Sequence, residues 1–368
     1  MSGLAPRVPA ADEGVRTTAD GRGVRATRGM PLSTIHPLSK SKRDEILNTD
    51  AQLIQRLRRA QTHLLPSELA AEIGISLAEL ETALARLRGA EFEIETRPGF
   101  GCRLLAAPDR IIADDLHSRL GECALAREIL VFEETSSTND VAMQLGRQGH
   151  AGRLAVFAER QTAGRGRFGR RWDSSGHEGL WFSLLLRVDW PLAHWPRLTT
   201  WAGVALAAAV EKFTALPARL KWPNDLLVSG RKVAGILTES ASDASGAMFA
   251  VIGIGLNVNQ TDFPPDLPSA ASLRQLTGRL QDRPALAAAV LSELATRLPQ
   301  AANDFPQLIA EASQRSAVLG TWVRLHAGGI DHEGTAESID PDGSLLLRIA
   351  DGSLHRMIAG EVTSALPR

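Results

Sequence analysis

The sequence predicts an α+β protein with three folded units behind a basic tail: a winged helix-turn-helix, a central mixed β-sheet with helices, and a small C-terminal β-barrel. Three observations predict it. Two short helical periods meet at a glycine and lead into a hairpin signal within residues 44–108. Strand-like and helical runs then alternate through residues 109–317. From 318 to 368 the texture becomes short alternating runs cut by Gly-Gly, Asp-Pro-Asp-Gly and Asp-Gly turns. A length of 368 residues accommodates two or three domains of roughly 150 residues each.

Composition narrows the class. With 44% hydrophobic and 23% charged residues and a formal net charge of −1, the chain is neither a disordered acidic segment nor a dedicated polycation. Any nucleic-acid contact must be local. Only five of the 41 basic residues are lysines, at positions 40, 42, 212, 221 and 232, so each lysine calls for an explanation. Cys102 and Cys123 are too few for a disulfide framework and lack metal-ligand spacing, which suggests two reduced thiols. The longest uncharged apolar run, residues 198–210, is 13 long, short of the roughly 20 that a membrane helix needs. It reads as a core helix. The N-terminal residues carry arginines but no continuous apolar segment, so a cytoplasmic address without membrane contact is expected.

Taken in order, residues 1–43 hold eight basic side chains against Asp12, Glu13 and Asp20, a net +5 without apolar period. A disordered tail is expected. Leu53, Ile54, Leu57 and Ala60 then share a helical face, and Pro66-Ser67 opens a short helix carrying Leu69, Ala70 and Ile73 that Gly74 ends. Ser76 with Glu79 forms a capping box for a helix that turns Leu80, Leu84 and Leu87 inward. Residues 92–105 alternate around Pro98-Gly99-Phe100-Gly101, a hairpin signal. A three-helix scaffold for protein contacts is the alternative to a DNA-binding winged helix. Residues 109–127 read as a linker and short helix. Strands are expected at 129–132, 154–159, 180–188, 218–221, 226–228, 234–239 and 249–257, and helices at 139–147, 198–216 and 284–304, with the helices on one face. The last unit shows strands at 322–326, 334–339 and 345–349.

Chemistry concentrates in four places. Gln161-Thr-Ala-Gly164-Arg165-Gly166-Arg167-Phe168-Gly169-Arg170-Arg171-Trp172 contains G-x-G-x-x-G, but no helical period follows it, so it is not a dinucleotide fingerprint. Its arginines suit phosphate oxygens, and its like charges resist ordering until an anion arrives. A solvated basic loop or an RNA contact is the alternative. In Lys221-Trp222-Pro223-Asn224-Asp225 a scarce lysine stands where a strand meets a tight turn, placed to hold a carboxylate or phosphate, or a structural salt bridge. Thr135-Ser-Ser137-Thr138-Asn139-Asp140 offers hydroxyl and amide groups at a helix start, where they could also be a simple cap. In Gly253-Ile-Gly255-Leu-Asn257-Val-Asn259 two asparagines face one way and the glycines permit close backbone approach. No P-loop is present, and the nine histidines are dispersed, so no metal site is expected.

The order S-T-N, Q-x-A-G-R-G-R-x-G-R-x-W, K-W-P-N-D, R-K-x-A-G-I-L (residues 231–237) and G-x-G-x-N-x-N resembles the biotin-protein ligase family over about residues 45–368, and the preceding winged helix is similar to its bifunctional bacterial members, which also repress biotin-synthesis genes. The resemblance implies a central domain of the biotin/lipoyl ligase, class II synthetase-like kind and an SH3-like C-terminal barrel. It implies biotin binding by Ser137, Thr138, Asn139, Gln161, Arg165, Gly166, Arg167 and Lys221, catalysis by Lys221, Arg165 and Arg167, and nucleotide contacts from Trp172 and Asn257. The implied substrates are biotin and ATP with Mg2+, and the implied partners are a carrier domain of acetyl-CoA carboxylase, operator DNA and a second copy of the chain. The implied reaction forms biotinyl-5'-AMP and passes biotin to a carrier lysine. Two other readings stand beside it: a repressor that uses biotinyl-AMP as corepressor, and a lipoate or octanoate transferase of the same broad fold.

Two features depart from the pattern. Ser175 stands where the family often has proline. In the DNA-reading segment between Ser67 and Arg88, the outward positions Ala78, Glu79, Glu81 and Thr82 carry carboxylates that repel phosphates. Residues 44–105 are net −3, so either the tail supplies the attraction for DNA or this unit regulates without an operator.

Overall fold

The computed structural model describes residues 25–26, 48–174 and 176–366. The expected disordered tail lies outside them except for β1 (Arg25–Ala26), a two-residue strand beside Val131 and Phe132.

The N-terminal unit has helices α1 (Thr49–Arg59), α2 (Pro66–Ile73) and α3 (Leu77–Gly89) and a hairpin, β2 (Glu93–Arg97) with β3 (Gly101–Ala106). Local chemistry sets each boundary. Asn48 Oδ1 accepts from Ala51 N at 2.9 Å to start α1. Gly74, at φ 79°, ends α2 in the left-handed conformation. Ser76 and Glu79 close the expected capping box, with Ser76 N donating to Glu79 Oε2 at 2.8 Å. Gly101 is required at its position, since a Cβ there would lie 2.0 Å from Leu64 O, where residue 64 bridges to Cys102. Leu53, Leu57, Leu69, Leu80, Leu84 and Leu87 form the core of this unit.

Helix α4 (Ala113–Leu120) joins it to the next unit. Arg58 of α1 reaches Asp115 at 2.5 Å and Ser118 Oγ at 2.7 Å.

The central sheet combines β1 with β4 (Glu128–Thr135), β5 (Leu154–Gln161), β6 (Gly179–Leu186), β7 (Ala218–Lys221), β8 (Asp225–Val228), β9 (Arg231–Ser242) and β10 (Met248–Asn257). Its order is β1-β4-β5-β6-β10-β9-β8-β7. The β1/β4 and β4/β5 pairs are parallel and the others antiparallel, so the sheet is mixed as expected. The helices of this unit are α5 (Thr138–Arg147), α6 (Arg197–Thr214), α7 (Leu273–Thr277), α8 (Arg283–Asn303) and α9 (Phe305–Gln314). The expectation of helices on one face is corrected. Ile129, Ala155, Phe157 and Leu184 pack against α6 and α8, whereas Leu130, Val156, Leu185 and Val251 pack against Val141, Ala142 and Leu145 of α5 on the other side. Among the described residues no helix is long and apolar enough to cross a membrane.

Strands β11 (Trp322–Ala327), β12 (Ile330–Ile339), β13 (Leu345–Arg348), β14 (Leu354–Met357) and β15 (Glu361–Leu366) form an antiparallel sheet in the order β14-β13-β12-β11-β15. The sequence alternation does not predict the last two strands, β14 and β15. Trp222 of the central unit enters the core of this sheet, with its Nε1 donating to Gly343 O at 3.0 Å. Cys102 and Cys123 are buried free thiols.

Candidate active site

A cavity of about 500 Å³ opens among the start of α5, the arginine loop, the β7–β8 turn, strands β9 and β10, and the start of β15. Ser137, Thr138, Asn139, Gln161, Arg165, Gly166, Arg167, Trp172, Lys221 and Asn257 all line it. Thus the residues singled out from four separate motifs meet in one place, and Lys232, Gly235, Ile236 and Leu237 bring the fifth motif to the same cavity.

Its inner end is polar and closed. Ser137 precedes α5 without making a side-chain cap; instead Gln161 Oε1 accepts from Thr138 N at 2.8 Å. The Gln161 amide also donates to Ser174 Oγ at 3.1 Å, anchoring the exit of the arginine loop. Ser175 lies outside the described residues. Asn139 Nδ2 donates to Glu239 Oε2 at 2.7 Å, and the Ser183 hydroxyl donates to Asn139 Oδ1 at 2.6 Å. Ser183 and Glu239 were missed in the sequence because they sit on strands remote from α5. Gly253 lies directly beneath Asn139, and a Cβ there would stand 2.2 Å from Oδ1. Gly253→Ala must displace Asn139 from both partners. Leaving buried polar groups unpaired costs about 1–3 kcal/mol, so calorimetric affinity for the cavity's ligand is expected to fall roughly 10- to 100-fold.

Trp172 forms the middle wall. Its ring sits over Gly255 and Gly235, where Cβ atoms would lie 2.6 and 3.0 Å away, and meets Trp181 edge-on at 6.3 Å between centroids. Among the described residues its buried Nε1–H has no acceptor. That leaves a donor for a ligand or water. Lys232 Nζ lies 5.3 Å from the Trp172 centroid and 2.7 Å from Asp225 Oδ1. Lys221 enters from the end of β7. Asn257 is buried and donates to Ala271 O at 3.1 Å, which fixes the segment that closes the outer wall. Asn259 does not line the cavity; it donates to Gln281 O at 2.9 Å.

The arginine loop was expected to order only with an anion, yet protein groups already partner its arginines. Arg165 pairs with Asp140 at 2.7 Å and Glu239 at 3.6 Å. Arg167 donates to Gly360 O at 2.9 Å, and Arg170 forms a two-pronged pair with Glu361. Hydrogen bonding to Asp140 raises the pKa of Arg165, whereas burial lowers that of Arg167. Arg170, with Lys221 and Lys232 adding to it, holds the Glu361 carboxyl below the usual range. The cavity therefore joins a small polar pocket to an electropositive mouth, the arrangement required to bind a neutral polar head group at one end and to bring two anions together at the other.

Comparisons with known proteins agree with this geometry. Residues 131–259 match the model described as the biotin/lipoate A/B protein ligase family, and residues 318–363 match the biotin protein ligase C terminal domain. The chain is 32% identical over 284 residues to a Bacillus subtilis protein named bifunctional ligase/repressor BirA, covering 76% of this chain and 87% of that one. A Mycobacterium tuberculosis protein named Biotin--[acetyl-CoA-carboxylase] ligase is 38% identical over 242 residues, covering 64% of this chain and 88% of its own. Among solved structures, the biotin protein ligase from Aquifex aeolicus in complex with biotin and ATP matches with a TM-score of 0.56 at 29% identity, over 66% of this chain and 100% of that one.

Proposed function

The chain belongs to the biotin protein ligase family, and from that premise we propose that its cavity joins biotin to AMP and then delivers biotin to a lysine of the carrier domain of acetyl-CoA carboxylase. The convergence of the five motifs on one cavity carries this reading. It is an ATP-dependent ligase, with biotin and ATP as substrates.

The assignment of steps follows from the geometry. The buried Ser137, Thr138 and Asn139 with the half-buried Gln161 offer donors and acceptors to a ureido ring, which has two N–H groups and one carbonyl, and Ser183 orients Asn139 from behind. The biotin carboxylate oxygen attacks the α-phosphorus and pyrophosphate leaves. Arg165, Arg167, Lys221 and Lys232 stabilise the charge gathered there. Trp172 walls the nucleotide and Asn257 holds the segment beside it. Enclosure by the arginine loop protects the mixed anhydride from water until a neutral carrier lysine attacks it and AMP departs.

Mg2+ would be held by the phosphates of ATP and would neutralise part of their charge. Asp225 and Glu361 line the cavity but are already paired with Lys232 and Arg170.

Purified protein given biotin, ATP and a carboxylase carrier domain is expected to biotinylate one carrier lysine, and lipoate is not expected to replace biotin. Transfer of lipoate instead, or no transfer, would overturn the reading.

The relative named bifunctional ligase/repressor supports a second role. We read α1–α3 with the β2–β3 hairpin as a winged helix-turn-helix, the catalytic domain as residues 109–317, and the C-terminal sheet as an SH3-like barrel. Biotinyl-AMP would act as corepressor. The unit's own charges do not favour DNA: Arg56, Arg58, Arg86 and Arg97 are paired with Glu72, Asp115, Asp50 and Glu95. Glu79 is held in its cap. Attraction must then come from the +5 tail. A gel shift of the biotin-synthesis promoter is expected with biotin and ATP present and to vanish when residues 1–43 are deleted; no shift at low salt ends the repressor role.

A further inference from the structure

The arginine loop is closed although little apolar burial holds it. Phe168, at its tip, is 69% exposed and adopts φ 58°, a left-handed backbone that bulky side chains disfavour. Backbone bonds pin its entry, from Thr162 N to Thr135 O and Ala163 N to Ser136 O, both at 2.9 Å, but beyond Ala163 those from Trp172 N to Gly164 O at 2.9 Å and Gly166 N to Arg170 O at 2.8 Å join the arginine stretch to itself. Side chains tie the arginine stretch to the frame at two places: Arg167 and Arg170 reach Gly360 O and Glu361 beside β15, and on the side of the biotin pocket the Arg165 guanidinium reaches Asp140 in the first turn of α5 at 2.7 Å and Glu239 on β9 at 3.6 Å.

We propose that Asp140 is a positioning residue that sets how long the ligase retains biotinyl-AMP, by latching Arg165 across the mouth of the biotin pocket. The inference rests on the ligase reading above. Asp140 does not line the cavity; it acts through Arg165. Glu239 is shared between Arg165 and Asn139 and so links the latch to the pocket floor. Opening the loop breaks the Asp140 pair. The two side chains are each 37% exposed, so solvent ions reach the pair and salt weakens it.

The test uses the full chain loaded with labelled biotinyl-AMP, chased with unlabelled biotinyl-AMP at about 0.05 M and about 1 M salt, a range over which the screening length falls steeply. Asp140→Asn is expected to release the adenylate about 3- to 10-fold faster than the parent at low salt, as loss of one charge-assisted pair implies. The difference is expected to collapse at high salt, and Asp140→Glu is expected to restore slow release. Release at the parental rate at low salt overturns the proposal. So does an acceleration of equal size at both salt concentrations, which a purely structural defect would produce. A parent protein that forms no adenylate removes the ligase reading and the latch with it, whereas a parent that forms and retains adenylate while Asp140→Asn releases it no faster removes only the latch.

Discussion

Lys232→Met is expected to slow biotinyl-AMP formation about 100- to 1000-fold, the usual consequence of removing one preorganised charge from a site where negative charge develops. The reaction brings a carboxylate onto an α-phosphate, and each is an anion before it begins. A cation helps most when its position is fixed in advance. Lys232 meets that condition: Asp225 holds its ammonium at 2.7 Å and the Trp172 ring lies beneath it at 5.3 Å. Lys221 stands at the end of β7 and lines the same cavity, so Lys221→Ala is expected to abolish the step. Asp225→Asn keeps both lysines while removing the anchor of Lys232 and should cost less than either lysine substitution. The measurement is the burst of adenylate on mixing with biotin and ATP. A parental burst from Lys232→Met or from Lys221→Ala would sink the role assigned to that lysine.

This pair of lysines shows what was legible in the sequence. Lys221 is legible because its strand and turn can be read locally. Lys232 is legible only as part of a motif, because its place depends on pairing: strands β8 and β9 turn back at Ser229-Gly230 and set Lys232 opposite Leu227, which folds it over Asp225. The same divide runs through the site. Ser137 to Asn139, Gln161 and the arginine loop are contiguous runs whose residue types announce their chemistry. Their partners Ser183, Glu239 and Glu361 each lie at least 44 residues away from the groups they hold, beyond the reach of spacing rules. In the fold, the second helical face could have been found. Residues 154–158 read Leu-Ala-Val-Phe-Ala, an unbroken apolar run that is buried throughout, and a strand covered on both faces has that pattern. The entry of Trp222 into the C-terminal core could not, since nothing near a K-W-P-N-D turn indicates a distant sheet.

Arg283→Met is expected to destabilise the protein by about 3–5 kcal/mol, the cost of leaving a buried charge without its partner. Arg283 begins α8 and is only 2% exposed. Its Nη1 donates to Glu159 Oε2 at 2.7 Å and Gly179 O at 3.1 Å, its backbone N–H donates to Asp109 Oδ1 at 3.1 Å, and Glu159 Oε1 accepts from Ile111 N at 2.6 Å. One guanidinium thus ties the segment leading from the N-terminal unit to the middle of the sheet. Since roughly 2–4 °C of melting temperature accompanies each kcal/mol in a domain of 150–250 residues, a fall of about 6–20 °C is expected by calorimetry. Glu159→Gln combined with Arg283→Met removes the stranded carboxylate and should recover part of that loss, because the two sites share one network and their effects do not add. The double variant also separates stability from function. Glu159 lies two residues before Gln161 on β5, and Gln161 caps α5 at the polar end of the cavity proposed to bind biotin. A double variant that recovers its melting temperature but still binds biotin weakly would show that the network also aligns β5, whereas recovery of both would confine Arg283 to holding the units together.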